Sequence, residues 1–175
     1  MKRPFLLSAF LLLLLLPGLS GCLGCDSQIC DCFDGGENDI YLAFDSDSSR
    51  QGFRKAELAG AYVVRYTRSG FTTALDTAHI GPTPTYPSER AGFGVILNYV
   101  FRQQTTLPDV TASNYAIVLP RVSRRYQVAS IEIANETTGS RCCRCLTNTR
   151  KRVVLDGSAL IADGNEGGPL AVLRR

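Results

Sequence analysis

"NDIYLAFD", residues Asn38 to Asp45, sets Ile40, Leu42 and Phe44 at alternate positions with Tyr41 and Ala43 between them. Successive side chains of an extended chain point to opposite faces, so a period of two predicts a strand buried on one side. Working outward, runs rich in β-branched and aromatic residues follow: AYVVRYT (61–67), FTTALDT (71–77), GFGVILNYVF (92–101), NYAIVLP (114–120), YQVASIEIA (126–134), RVVLD (152–156) and PLAVLR (169–174). About eight short strands between turn residues predict an all-β chain, a mostly antiparallel two-layer sandwich that is immunoglobulin-like or related. Its expected core is Ile40, Leu42, Phe44, Val63, Ile96, Ile117, Ile131, Ile133 and Val154, with Arg65 and Glu132 turned to solvent. Asp156-Gly157 has the chemistry of a two-residue type I′ turn and should fold RVVL back on SALI. Helix is nearly absent: GFRKAELAG (52–60) is the one candidate, for a single turn.

Charge is distributed unevenly along the chain. Residues 26–57 carry eight acids against Arg50, Arg54 and Lys55, whereas residues 121–152 carry eight bases against Glu132 and Glu136. In a β-rich exported protein a basic stretch of this kind suits an acidic glycan or glycolipid, and otherwise is a solvated face offset by the acidic segment. Arg121, Arg124 and Arg125 are its candidate ligand contacts. Tyr86 is another, in the proline-stiffened segment HIGPTPTYPSERAG (79–92); ADGNEGGP (162–169) is a second polar loop of the sort that scaffolds use for binding.

The catalytic inventory is poor. His79 is the single histidine, and neither a GxSxG elbow nor an HExxH pair occurs. Asp45, Asp47 and Ser49 begin like a calcium loop, but Arg50 stands where glycine is needed and Ala56 where glutamate is needed. Carboxylates that meet only in space leave no fixed spacing, so a hydrolase stays open as a third possibility. No catalytic residue and no cofactor are assigned.

The start of the chain carries an address. Lys2 and Arg3 precede twelve residues, Phe5 to Leu16, interrupted only by Ser8 and ended by Pro17-Gly18. This is short of the roughly 20 apolar residues a spanning helix needs and has the plan of an export signal. Leu19-Ser20-Gly21-Cys22 then resembles the lipobox of bacterial lipoproteins, and Asp76-Thr77-Ala78 resembles a short O-glycosylation sequon of some Bacteroidota. The strand pattern predicts one β-sandwich domain over 38–175, preceded by a short cysteine-bearing tether, 22–37. The lipobox resemblance implies that residues 1–21 are removed and that Cys22 is acylated. It implies an envelope lipoprotein of Gram-negative type, lipid-anchored at the outer membrane. Taking 21 residues from 175 leaves 154, enough for one core. Losing Lys2 and Arg3 from 19 bases leaves 17 against 16 acids, a balance with no nucleic-acid signature.

With Cys22 acylated, Cys25, Cys30, Cys32, Cys142, Cys143 and Cys145 remain, three early and three late. In an exported protein such a count reads as disulfides. The neighbours Cys142 and Cys143 pair only with strain and Cys143 and Cys145 share one strand face, so bridges between the clusters are expected. The rival is a thiolate site for copper or zinc on Cys30, Cys32, Cys143 and Cys145, although CDC and CCRC fit zinc spacing poorly. The leading expectation is therefore a lipid-anchored module that binds an envelope protein or a glycan. Metal or thiol handling is the alternative.

Cys22→Ala should leave the protein without lipid and abolish its stable membrane association, because several acyl chains hold firmly where one holds marginally. Mass spectrometry of wild type and fractionation of the variant check this; a variant retained in washed membranes like an unlipidated wild type would refute it.

Overall fold

The computed structural model describes residues 32, 38–47, 51–80, 94–101, 109–140, 143–163 and 168–175. Among the described residues there are nine strands: β1 Tyr41–Phe44, β2 Tyr62–Thr67, β3 Ala74–His79, β4 Gly94–Ile96, β5 Ser113–Leu119, β6 Arg124–Ser140, β7 Cys143–Leu155, β8 Ser158–Asp163 and β9 Ala171–Leu173. They make two sheets, a small one in the order β4-β1-β9 and a large one in the order β3-β2-β5-β6-β7-β8. In the small sheet β1 runs antiparallel to β4 and parallel to β9. In the large sheet β2, β3, β5 and β6 pair antiparallel, as do β7 and β8. The chain is an all-β sandwich, as its alternating runs predict.

The chain divides into two compact units, Asp34–Glu136 with Thr147–Arg175, and Thr137–Leu146 with the residues up to Phe33. The core belongs to the first. The small sheet contributes Leu42, Phe44, Val95 and Leu173, and the large sheet contributes Val63, Tyr115, Ile117, Leu119, Tyr126, Val128, Ile131 and Val153. Ile117 shows how register builds it: Val63 stands opposite on one side and Tyr126 on the other, and all three are buried. Each such aliphatic side chain contributes about 1.5–3 kcal/mol by leaving water.

Several positions differ from expectation, each for a local reason. Ile96 and Val154 are only partly buried, while Val95, Leu97 and Val153 are in the core. Contiguous apolar runs such as VIL and VVL carry no period, and a one-residue change of register exchanges the faces. Arg65 is not turned to solvent. It shares the parity of Val63, so it points inward, its guanidinium lying 5.3 Å from the centre of the Phe101 ring and 4.0 Å from Asp76 on β3. Glu132 is exposed and meets Arg152 at 2.8 Å.

Val128 and Ile131 are both buried although three residues apart, and Ser130 between them has φ 50°. Its left-handed backbone takes up the extra residue, in the manner of a bulge, and restores Ile131 to the core. In the described part of the run at 92–101, Gly94–Ile96 is strand and Leu97–Val100 is a helical turn. Asn98 in that turn accepts from Ile40 N (3.0 Å) and donates to Asn38 O (3.2 Å), closing the turn onto β1. The 52–60 segment holds turns rather than helix, with Phe53 buried edge-on against Phe44 at 6.0 Å.

The hairpin at Asp156-Gly157 forms as its chemistry dictates. Leu155 pairs with Ser158, and the two turn residues have φ 46° and 83°, the left-handed pair that a type I′ turn requires. Asp156 then ties the turn to β6, donating from its N to Gln127 O (2.9 Å) and accepting from Gln127 N (2.7 Å) at its carboxylate.

Three tyrosines report on this packing. Burial pushes the phenols of Tyr41, Tyr115 and Tyr126 above the ordinary value, with Arg65 and Ser113 partly opposing it at Tyr115 and Arg124 partly opposing it at Tyr126. A raised acid favours its neutral form in the fold, so its contribution is full below the unfolded phenol pKa of about 10 and is lost as pH climbs through the folded value. The denaturant midpoint should fall as pH rises from about 10 towards the raised folded values of these three phenols. Tyr115→Phe should flatten the fall; a midpoint that stays level over that range would contradict it.

Candidate functional site

The large sheet has a second face, built by the residues that alternate with the core. On β2 these are Tyr62, Val64 and Tyr66. Tyr62 stands between His79 on β3 and Val118 on β5, and Tyr66 between Ala74 and Asn114. The Tyr62 and His79 rings meet at 6.1 Å and 64°, and the Tyr66 and Phe71 rings at 5.5 Å and 63°. Edge-to-face packing of this kind stabilises the rings without covering them, and Tyr62, Tyr66 and Phe71 all remain half-exposed.

A cation completes the arrangement. Arg125 on β6 lies opposite Val118 and reaches across β5, donating to the Tyr66 hydroxyl at 3.1 Å with its guanidinium 5.6 Å from the ring centre. Gln127, two residues on, is exposed on the same side, as are Thr77 and His79 on β3. Val64 and Ala116, opposite each other in register, are the small buried side chains between the tyrosines and Gln127. The face therefore offers half-exposed rings, one positive charge and several uncommitted hydrogen-bonding groups on rigid strands.

Of the described residues expected to contact a ligand, Arg125 lies on this face. Arg124 faces the other way, its guanidinium 5.5 Å from the buried Tyr126 ring, and Arg121 is exposed in the Pro120–Val122 turn. Arg124 and Arg125 are adjacent in sequence, but strand alternation separates them. Tyr86, Cys22, Cys25, Cys30 and Cys142 lie outside the described residues, as do residues 81–92 of the first candidate loop and 164–167 of the second. Tyr62, Tyr66 and Phe71 escape a search for loop residues, although the spacing of the two tyrosines in AYVVRYT already puts both on one strand face.

The cysteines resolve differently from a thiolate site. Cys32 is bridged to Cys145, 113 residues later, with their Cα atoms 5.3 Å apart, and Cys143 is also disulfide-bonded. Among the described residues no three His, Cys, Asp or Glu side chains gather as metal ligands. Carboxylates have structural uses: Asp109 accepts from Thr111 N, Glu57 from Arg54 N, and Asp76 from Thr77 N. A cleft of about 270 Å³ is lined by Asp45, Gln51, Gly52, Arg174 and Arg175. Its charges are paired, Arg174 with Asp45 at 4.0 Å and Arg175 with the neighbouring Glu57 at 2.9 Å, and Tyr126 donates its hydroxyl to Arg174 O. That geometry secures the chain after β9 rather than presenting a reactive group.

The chain matches no protein-family model, no curated protein and no solved structure.

Non-reducing peptide mapping should recover a Cys32–Cys145 linked peptide from membrane-purified protein. Six alkylatable thiols in the native protein, with bound copper or zinc, would reverse this and bring metal handling forward.

Proposed function

We propose that the protein is a lipid-anchored β-sandwich of the bacterial cell envelope that binds an envelope glycan on the outer face of its large sheet. The observation that carries this is the row of half-exposed rings, Tyr62, Tyr66 and Phe71, interleaved with Arg125, Gln127, Thr77 and His79. A sugar ring has an apolar C–H face and a polar hydroxyl rim. Aromatic faces cover the first, and side-chain amides, hydroxyls and guanidinium satisfy the second.

Two physical features support the match. The rings stand on strands and pack against neighbours, so little side-chain freedom is lost on binding. Arg125 adds a planar, always charged donor fork suited to carboxylate or phosphate, which favours an acidic glycan over a neutral one. Acylation at Cys22, with outer-membrane location, would hold the face where such glycans occur.

The experiment uses full-length protein and two probes, purified lipopolysaccharide and soluble peptidoglycan fragments, followed by calorimetry. Wild type should bind at least one. Tyr66→Ala with Arg125→Ala should weaken binding about tenfold or more, the loss expected for a ring and a cation at the centre of a site. The circular dichroism spectrum should stay unchanged, since Arg125 is exposed and Tyr66 half-exposed. Failure to bind either glycan, together with recovery of one envelope protein that the same double variant loses, would replace the glycan by a protein partner.

A further inference from the structure

The Cys32–Cys145 bridge joins residues at two very different distances from the proposed lipid. Cys145 lies 123 residues from Cys22 along the chain, but Cys32 lies ten residues from it. A ten-residue chain spans at most about 36 Å, and as a flexible coil about 18 Å. The bridge therefore ties Cys145 to the acylated terminus by a leash of that length.

The residues flanking Cys145 on β7 are Arg144 and Leu146. Both are exposed, Leu146 by 62%, and strand alternation puts them on one face, opposite Cys143 and Cys145. Thr137–Leu146, the β6 and β7 ends that belong to the smaller unit, contains Arg141 and Arg144 and no acidic residue. An exposed leucine beside arginine, on a segment without acids, suits the boundary between acyl chains and anionic headgroups, where the apolar group enters and the cation stays at the surface. One leucine and one arginine would not hold a free protein there. A short leash raises the local concentration enough that a weak contact is occupied.

We infer that the Cys32–Cys145 disulfide holds the Arg144–Leu146 face against the membrane surface, with Leu146 entering the interface. This rests on the acylation of Cys22 proposed above. Asp26 and Asp31 on the connecting segment offset Arg141 and Arg144 in number. The contact is therefore chiefly apolar and should survive high salt.

The chain contains no tryptophan, so Leu146→Trp supplies a single fluorescent reporter in the full-length lipidated protein. The probe is vesicles of phosphatidylethanolamine and phosphatidylglycerol, with and without brominated acyl chains. Emission should be blue-shifted and quenched by the brominated lipid in both low and high salt. Adding Cys32→Ser, Cys143→Ser and Cys145→Ser, which also removes the second disulfide two residues away, should leave the protein on the vesicles yet return the emission towards that of water-exposed tryptophan; reductant on the bridged protein is the second route to that state. Acylated, vesicle-bound protein with water-like emission would overturn the inference while leaving the anchor intact, and so would quenching that persists without the bridge. Protein lacking lipid and failing to stay on vesicles would overturn both.

Discussion

The small sheet hangs on four residues. β4 and β9 do not touch each other; each hydrogen-bonds to β1, Tyr41–Phe44, from opposite sides. Segments near residues 42, 95 and 172 thus become one layer through a single central strand, whose inward side chains Leu42 and Phe44 are also part of the core. Any misplacement of β1 by one residue would turn those side chains outward and strand both neighbours. The protein places a polar clamp just before it. Asn98 closes on Ile40 N and Asn38 O, Lys151 donates to Asp39 O at 3.1 Å, and the buried Asn148 amide nitrogen lies within 3.3 Å of Asn38 Oδ1, Ala134 O and Asn135 Oδ1. Such bonds are directional where burial is not, and they fix the register that apolar packing alone would leave loose.

The large sheet divides its labour by face. Its inner side is aliphatic and aromatic and supplies the largest share of the core. Its outer side keeps Tyr62, Tyr66 and Phe71 half-exposed, with Arg125 across the middle. One β2 strand serves both purposes, because Val63 and Arg65 look inward and Tyr62 and Tyr66 look outward. The inward Arg65 is tolerated because Asp76 stands opposite it in register and the Phe101 ring covers it, so the charge is not stranded in apolar surroundings.

The proposed lipid anchor, the disulfide and the ring-bearing face are separate devices. A tether alone would leave an anchored domain free to drift over the full length of its linker. A bridge from Cys32 to Cys145 replaces that freedom with a short closed connection, at the cost of requiring an oxidising compartment.

Strand positions were legible in the sequence wherever apolar residues alternate with polar ones, as in Ile40-Leu42-Phe44, and the Asp156-Gly157 turn was legible because few dipeptides tolerate two left-handed residues. Where the apolar run is continuous, periodicity carries no information: packing selected Val95 and Val153 over Ile96 and Val154, and it bent LNYV into a turn to seat Leu97 and Phe101. The proposed binding face was beyond local reading for a different reason. Tyr62 and Tyr66 share one strand and so one side, but His79, Phe71 and Arg125 join them only through pairing across β3, β5 and β6. Sequence by itself determined the β class and one hairpin, because those follow from the chemistry of adjacent residues. Tertiary structure decided which of the equally apolar neighbours are buried, which arginine meets an aromatic ring and which early cysteine lies beside Cys145, because each depends on groups that only the folded chain brings together.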